Sequence, residues 1–313
     1  MPASQPAARG GHARMHVLMF LVTFFWASNI IAGKEALTGF SALALAQLRV
    51  LGAAIIFVIL FLGSGRMRRL QLSARKWLFL VAIAATGIAL NQITFIGGIA
   101  RTSVAHTGLI VALGPLMVLI IAVLVRLEKL TAWKAAGMLI AFAGVAILTM
   151  DKAGRGSTSH TAGDIIMLGS ALVFAIYQVL MKEVANQFDA LTLNTLIYVL
   201  GTMMMLPFCG HAVIVTNWAA VRPEAWWGLA FLIVFGSVIS YLLFAYVLTE
   251  LAASRAAAFN YFQPVMASAL GFWILSERLT SNVLTGGGLI LIGVYLAERE
   301  RGEEKDPDPS INF

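Results

Sequence analysis

The stretch GPLMVLIIAVLVRLEKLT runs from Gly114 to Thr131, with a proline at its head, a long apolar run, and a Glu-Lys pair at its foot. A close relative of it, QPVMASALGFWILSERLT, runs from Gln263 to Thr280, 149 positions later. At the same shift Trp77 meets Trp226, Leu80 meets Leu229, Gly87 meets Gly236 and Phe95 meets Phe244. Pro115 then meets Pro264, Glu128 meets Glu277, Leu130-Thr131 meets Leu279-Thr280, Gly137 meets Gly286 and Gly144 meets Gly293. At a shift of 148, Lys34-Glu35 meets Lys182-Glu183. Apolar matches arise by chance in a greasy chain, but a proline, a glutamate and two glycines in register do not. The chain is an internal duplication.

What is duplicated follows from composition. Of the 313 residues 60% are apolar and 12% charged, whereas a soluble domain holds about 45–50% apolar and about 25% charged. A single globule cannot hide that excess, so the chain is a polytopic membrane protein. A helix needs about 20 apolar residues to cross the hydrocarbon. Ten candidate spans satisfy this: 15–34, 41–63, 76–98, 103–125, 131–150, 163–182, 189–210, 225–247, 253–275 and 282–298. All are expected to be helices, because lipid offers an open sheet edge no hydrogen-bond partners. The first span has no small-residue cleavage site after it and reads as permanent rather than as a signal peptide. One cysteine, Cys209, precludes an intrachain disulfide.

The polar segment DKAGRGSTSHTAGD, Asp151 to Asp164, divides the spans five and five. The expected domains are a tail at 1–14, a five-helix repeat at 15–150, a linker at 151–162, a second repeat at 163–298 and a charged tail at 299–313. Five is odd, so the second copy enters the membrane from the opposite side. Inverted repeats of this kind are the architecture of secondary transporters, with the substrate site near the midplane between the halves. The fold expected is all-α: ten transmembrane helices as two inverted five-helix repeats around a central cavity, working by alternating access. A duplicated scaffold without transport is the plainer alternative.

Fourteen of the 22 Lys and Arg fall on the N-terminal side of the spans and six on the other, with Arg49 and Arg255 inside spans. The positive-inside bias then places both termini in the cytoplasm. The formal charge of +7 is explained by this loop asymmetry, and no nucleic-acid partner is expected. Partners are the lipid bilayer and a small-molecule substrate, with the chain acting as a monomer or homodimer.

The segments FFWASNIIAGK (Phe24 to Lys34) and QLRVLGAA (Gln47 to Ala54), together with the paired Pro…Glu-x-Leu-Thr segments, resemble the two halves of the EamA family in the drug/metabolite transporter superfamily. The resemblance covers 15 to 298, nearly the whole chain outside its tails. Leu127 departs from the family pattern, which commonly has Gly before the Glu; Ser276 holds the matching place. The resemblance implies a ten-helix bundle with a central cavity, in the cytoplasmic membrane, that exports or exchanges small metabolites such as amino acids. It leaves open a nucleotide-sugar or organophosphate exchanger, since the superfamily includes those.

The candidate site residues are polar groups within spans, which are expensive in lipid and default functional candidates. Arg49 is a counter-charge for a substrate carboxylate, or else an Arg pinned to helix carbonyls or snorkelling outward. Trp26 and Asn29 share one helix face at a spacing of three. Asn91 and Gln92 sit deep in the third span and meet Ser240 and Tyr241 by the 149 shift. Tyr177 meets Asn29 by the 148 shift, and Gln178 is its neighbour. Asn260 and Gln263 precede Pro264, where a broken helix can turn carbonyls to a cavity. As a group these read as a cavity lining; singly, each also reads as an interhelical hydrogen bond worth roughly 0.6 kcal/mol. Pro115, Pro264, His106 and its counterpart Arg255 are candidate gates or hinges, or else plain kinks and interfacial groups. Gly137/Gly144 and Gly286/Gly293 lie two turns apart and read as close helix packing. Glu128 and Glu277 fall at helix ends and read as structural. No carboxylate lies at mid-membrane, which favours a facilitator or exchanger over a proton-driven carrier. Walker A, HExxH and GxSxG motifs are missing, so no enzyme, cofactor or metal is expected, and a membrane enzyme or sensor subunit remains the alternative from another class.

Overall fold

A computed structural model describes residues 8–65, 72–102, 107, 110–153, 161–263, 265, 266, 269 and 281–298. Among these, the regular structure is helical throughout. The helices in chain order are α1 (Ala8–Ala36), α2 (Ala42–Gly63), α3 (Ala74–Ile99), α4 (Gly114–Leu124), α5 (Ala132–Ala153), α6 (Thr161–Val184), α7 (Ala190–Ile214), α8 (Pro223–Glu250), α9 (Ala253–Ala258) and α10 (Ser281–Glu298). Six of them, α1, α2, α3, α6, α7 and α8, are long and apolar enough to cross a bilayer. Shorter apolar helices lie in the fourth, fifth and tenth expected spans. The ninth span begins as α9 and a 3-10 turn at Phe259–Tyr261, then runs largely outside the described residues.

Local chemistry accounts for the helix starts. The Ser41 hydroxyl accepts from the Ala44 N–H at 3.3 Å, and the Ser73 hydroxyl from the Lys76 N–H at 3.4 Å. The Asp189 carboxylate accepts from the Thr192 N–H at 3.1 Å and from its hydroxyl at 2.6 Å. Each cap satisfies a donor that an unpartnered helix end leaves free.

The helices pack as the duplication requires. α2 lies on α7 and α5 on α10, each pair joining equivalent helices of the two halves. α1 lies on α8 while α6 lies on α3, so the first helix of each half packs on the third helix of the other. The tightest seam is α5 on α10. A Cβ added at Gly144 would stand 2.6 Å from the Gly286 carbonyl oxygen, and one at Gly137 would stand 2.6 Å from that of Gly293. Lipid tails are as apolar as leucine, so such small-residue contacts, rather than water exclusion, hold helices together in a membrane.

Two features depart from a plain helical reading. α3 and α8 each carry a π-helical segment, Ala84–Leu90 and Val234–Ile239 respectively, at equivalent places in the repeat. Inside each is a glycine whose missing side chain admits a residue of the other half. Asn29 lies where a Cβ of Gly236 would stand, and Tyr177 where a Cβ of Gly87 would stand. Asn29 and Tyr177 are themselves counterparts at a shift of 148. A π turn widens the helix and releases backbone groups from the regular ladder, and such turns gather at functional sites.

Candidate functional site

Side chains from both halves line a cavity of about 100 Å³ at the centre of the bundle: Trp26 and Asn29 from α1, Arg49 from α2, Asn91, Gln92 and Phe95 from α3, Val111 and Gly114 near the start of α4, Ser170, Ala171, Phe174 and Gln178 from α6, Tyr241 from α8, and Asn260 and Gln263 beyond α9. Nine of the eleven residues picked from the sequence as substrate-binding candidates are in this lining.

Arg49 is only 4% exposed. Its Nε donates to the Ser237 hydroxyl at 2.9 Å and its Nη2 to the Gly236 carbonyl at 3.0 Å. Both acceptors belong to the π segment of α8, so the widened turn provides the carbonyl that holds the guanidinium. Arg49 is therefore pinned to a helix carbonyl while also lining the cavity, with Nη1 engaged in neither bond. Among the described lining residues it is the one charged group.

The aromatic wall forms around Trp26. Its ring centroid is 5.6 Å from Phe174, edge-on, and 5.9 Å from Tyr241. The amides fall into two sets. Asn91 Nδ2 donates to the Ser170 hydroxyl at 3.1 Å, tying α3 to α6, and Gln263 Nε2 donates to Asn260 Oδ1 at 3.1 Å. By contrast, Asn29 Oδ1, Gln92 Oε1 and Gln178 Oε1 are buried with no hydrogen-bond partner among the described residues. An unsatisfied buried acceptor costs about 1–3 kcal/mol; the Asn29 oxygen is packed against Gly236 in the π segment of α8. The cavity thus offers one fixed cation, several acceptors and an apolar wall.

The remaining picks stand elsewhere. Tyr177 is fully buried against Gly87 and Ser240 donates to the Phe235 carbonyl at 2.6 Å; neither reaches the cavity. Of the gate candidates, Pro115 is buried in the first turn of α4 beside Gly114, where a proline is compatible with a helix start. Arg255 is buried on α9 and is not part of the lining. His106 and Pro264 lie outside the described residues.

Six lining residues escaped the sequence reading: Phe95, Val111, Gly114, Ser170, Ala171 and Phe174. The repeat itself points to three of them. Phe174 is the counterpart of Trp26 at a shift of 148, and Val111 and Gly114 are the counterparts of Asn260 and Gln263 at 149. The correspondence is partial: Tyr177, Tyr198 and Ser240, the counterparts of Asn29, Arg49 and Asn91, are not in the lining.

The sequence matches the model of the EamA-like transporter family twice, over residues 13–150 and 161–298. An uncharacterized transporter of Archaeoglobus fulgidus is 26% identical over 285 residues, spanning 91% of this chain and 99% of that protein. The uncharacterized transporter YoaV of Bacillus subtilis is 24% identical over 278 residues, spanning 88% of this chain and 93% of that one. A solved crystal structure shares the fold with a TM-score of 0.74 at 15% identity, covering 92% of this chain and 97% of its own.

Proposed function

The chain belongs to the EamA-like transporter family, and we propose that it carries a small amphipathic metabolite bearing a carboxylate, most simply an amino acid with an apolar side chain, out of the cell by alternating access of its two halves. One observation carries this reading: Arg49 is the single charged residue among those described around the cavity. A guanidinium held by two bonds keeps its planar donor fork oriented for a carboxylate. The side-chain amides of Gln92 and Gln178 in the lining suit an ammonium or hydroxyl donor, and Trp26 and Phe174 suit the apolar body. A phosphate dianion would call for several cations, which the described lining lacks, so the organophosphate reading is disfavoured. In this reading the two repeats occupy 15–150 and 163–298, the tails 1–14 and 299–313 lie in the cytoplasm, and the membrane is the cytoplasmic one.

The test is ligand binding to the purified chain in nanodiscs, followed by Trp26 fluorescence and by calorimetry, across amino acids, their amides and their decarboxylated amines. Binding of the amino acid with loss for both the amide and the amine supports a zwitterion site. Equal binding of the amide would remove the carboxylate from recognition. Counterflow in liposomes then reports transport, and cell growth against toxic analogues its direction.

A further inference from the structure

Toward the end of the bundle that carries the N-terminus, α4 and α9 are joined by chemistry of their own. α4 ends at Leu124; Arg126 then adopts the left-handed conformation at φ 62°, and the Leu127 and Glu128 N–H groups both return to the Ala122 carbonyl, at 2.9 and 3.2 Å. This turn carries Glu128 of the first half to the start of α9 in the second. There Glu128 Oε1 accepts from the Ser254 N–H at 2.9 Å, Oε2 accepts from the Ser254 hydroxyl, and Lys134 Nζ reaches Oε2 at 3.0 Å. The side chains of Lys134 and Glu128 are 9% and 3% exposed. Between this ion pair and the cavity residues Gly114 and Asn260, both helices present small apolar side chains: Val118 and Ala122 on α4 meet Ala253 and Ala257 on α9, all buried, with Ala175 and Val179 of α6.

By sequence, the equivalent positions of the other half carry only one of the three groups. Glu277 is the counterpart of Glu128, but the counterparts of Ser254 and Lys134 at the 149 shift are Ala105 and Val283, with neither hydroxyl nor ammonium. We infer that Glu128, Ser254 and Lys134 form a latch that clamps α4 to α9 and shuts the cavity toward the N-terminal end. The chain therefore rests closed at that end, and opening there breaks the latch; naming this a step of transport rests on the reading above. Sequence reasoning had sought the gate at Pro115, Pro264, His106 and Arg255, and had counted Glu128 as structural.

The experiment needs no substrate. In the full-length chain with Cys209→Ala, which removes the single native cysteine, Ala257→Cys places a reporter thiol in the apolar plug. Its modification by a charged, membrane-impermeant thiol reagent is timed in nanodiscs. Glu128→Gln should speed labelling by about tenfold, the population change that follows loss of one charge-assisted hydrogen bond. Ser254→Ala keeps the backbone donor and should speed it by a smaller factor. Unchanged labelling in either variant, with helical circular dichroism and a single size-exclusion peak retained, overturns the latch. If Glu128→Gln does not fold, Ser254→Ala alone decides. Because labelling is read without ligand, a failed binding assay sinks the substrate reading and leaves this one standing, and the reverse also holds.

Discussion

The two halves of this protein share a scaffold but present different chemistry to the space between them. Where they are identical, the residues pack. Gly137 and Gly144 meet Gly293 and Gly286 across the α5–α10 seam, and Gly87 and Gly236 admit Tyr177 and Asn29. Gly52 and Gly201, also counterparts, receive Ile233 and Ile88. Around the cavity, Phe95 aside, the lining positions differ between the halves. Arg49, in the lining, has the uncharged Tyr198 as its counterpart at a shift of 149. Gln92 is paired with Tyr241, Trp26 with Phe174, Val111 with Asn260 and Gly114 with Gln263. An inverted duplication needs matched surfaces where the copies touch as scaffold. An asymmetric ligand on the axis needs unmatched ones.

That comparison can be broken at the matched set with the largest effect. Gly293→Leu drives a side chain into the Gly137 carbonyl, which already stands 2.5 Å from where a Cβ would be. Backbone is in the way, so α5 and α10 must separate, and overpacking of this sort costs about 1–3 kcal/mol or more. The expected outcome is loss of monodisperse protein on detergent extraction, read by size exclusion; a native-like peak and melting point would show that the seam tolerates separation.

Next comes the unmatched set. Arg49→Ala should leave extraction and helicity near wild type while weakening ligand binding by roughly 30-fold or more, as expected when one partner of a buried charge pair is truncated. Arg49→Lys should recover only part of that, because an ammonium lacks the planar fork. Wild-type affinity in the folded Ala variant would take Arg49 out of the site.

Ser237→Ala probes the π turn that holds Arg49. It removes one hydrogen bond to a cation, worth about 1.5–3 kcal/mol, while the Gly236 carbonyl bond remains. A weaker Kd and a lower melting point are expected, with the folded helical content retained, and Ser237→Thr should restore both, since the hydroxyl is what matters. The smallest change is Trp26→Phe, which makes the wall symmetric with Phe174; it should shift preference among apolar side chains by a few-fold and leave Arg49-dependent binding in place.

Much of the fold was legible because it follows from single-residue properties. Chain hydropathy locates the spans, since crossing about 30 Å of hydrocarbon requires a long apolar helix. The 149-residue register in Pro, Glu and Gly revealed the duplication, and an odd number of spans per copy fixes its inversion. The polar residues at mid-depth were legible as a group because lipid makes each expensive. The π turns were not, since nothing in AATGIAL or VFGSVI differs in composition from an ordinary span, and the residue of the other half seated beside each glycine comes from far away in the chain.

Sequence alone determined that this is a ten-span, inverted-repeat membrane protein of the EamA type with a polar centre. Tertiary structure alone decided which of the central polar groups face the cavity, that Tyr177 and Ser240 turn away, and that Glu128 reaches across to Ser254. The physical reason is rotational. In a soluble helix the apolar stripe announces the buried face, but a span is apolar all round. Its rotation is then set by small-residue contacts and hydrogen bonds to partners far away in the chain, and only the packed bundle brings those partners together.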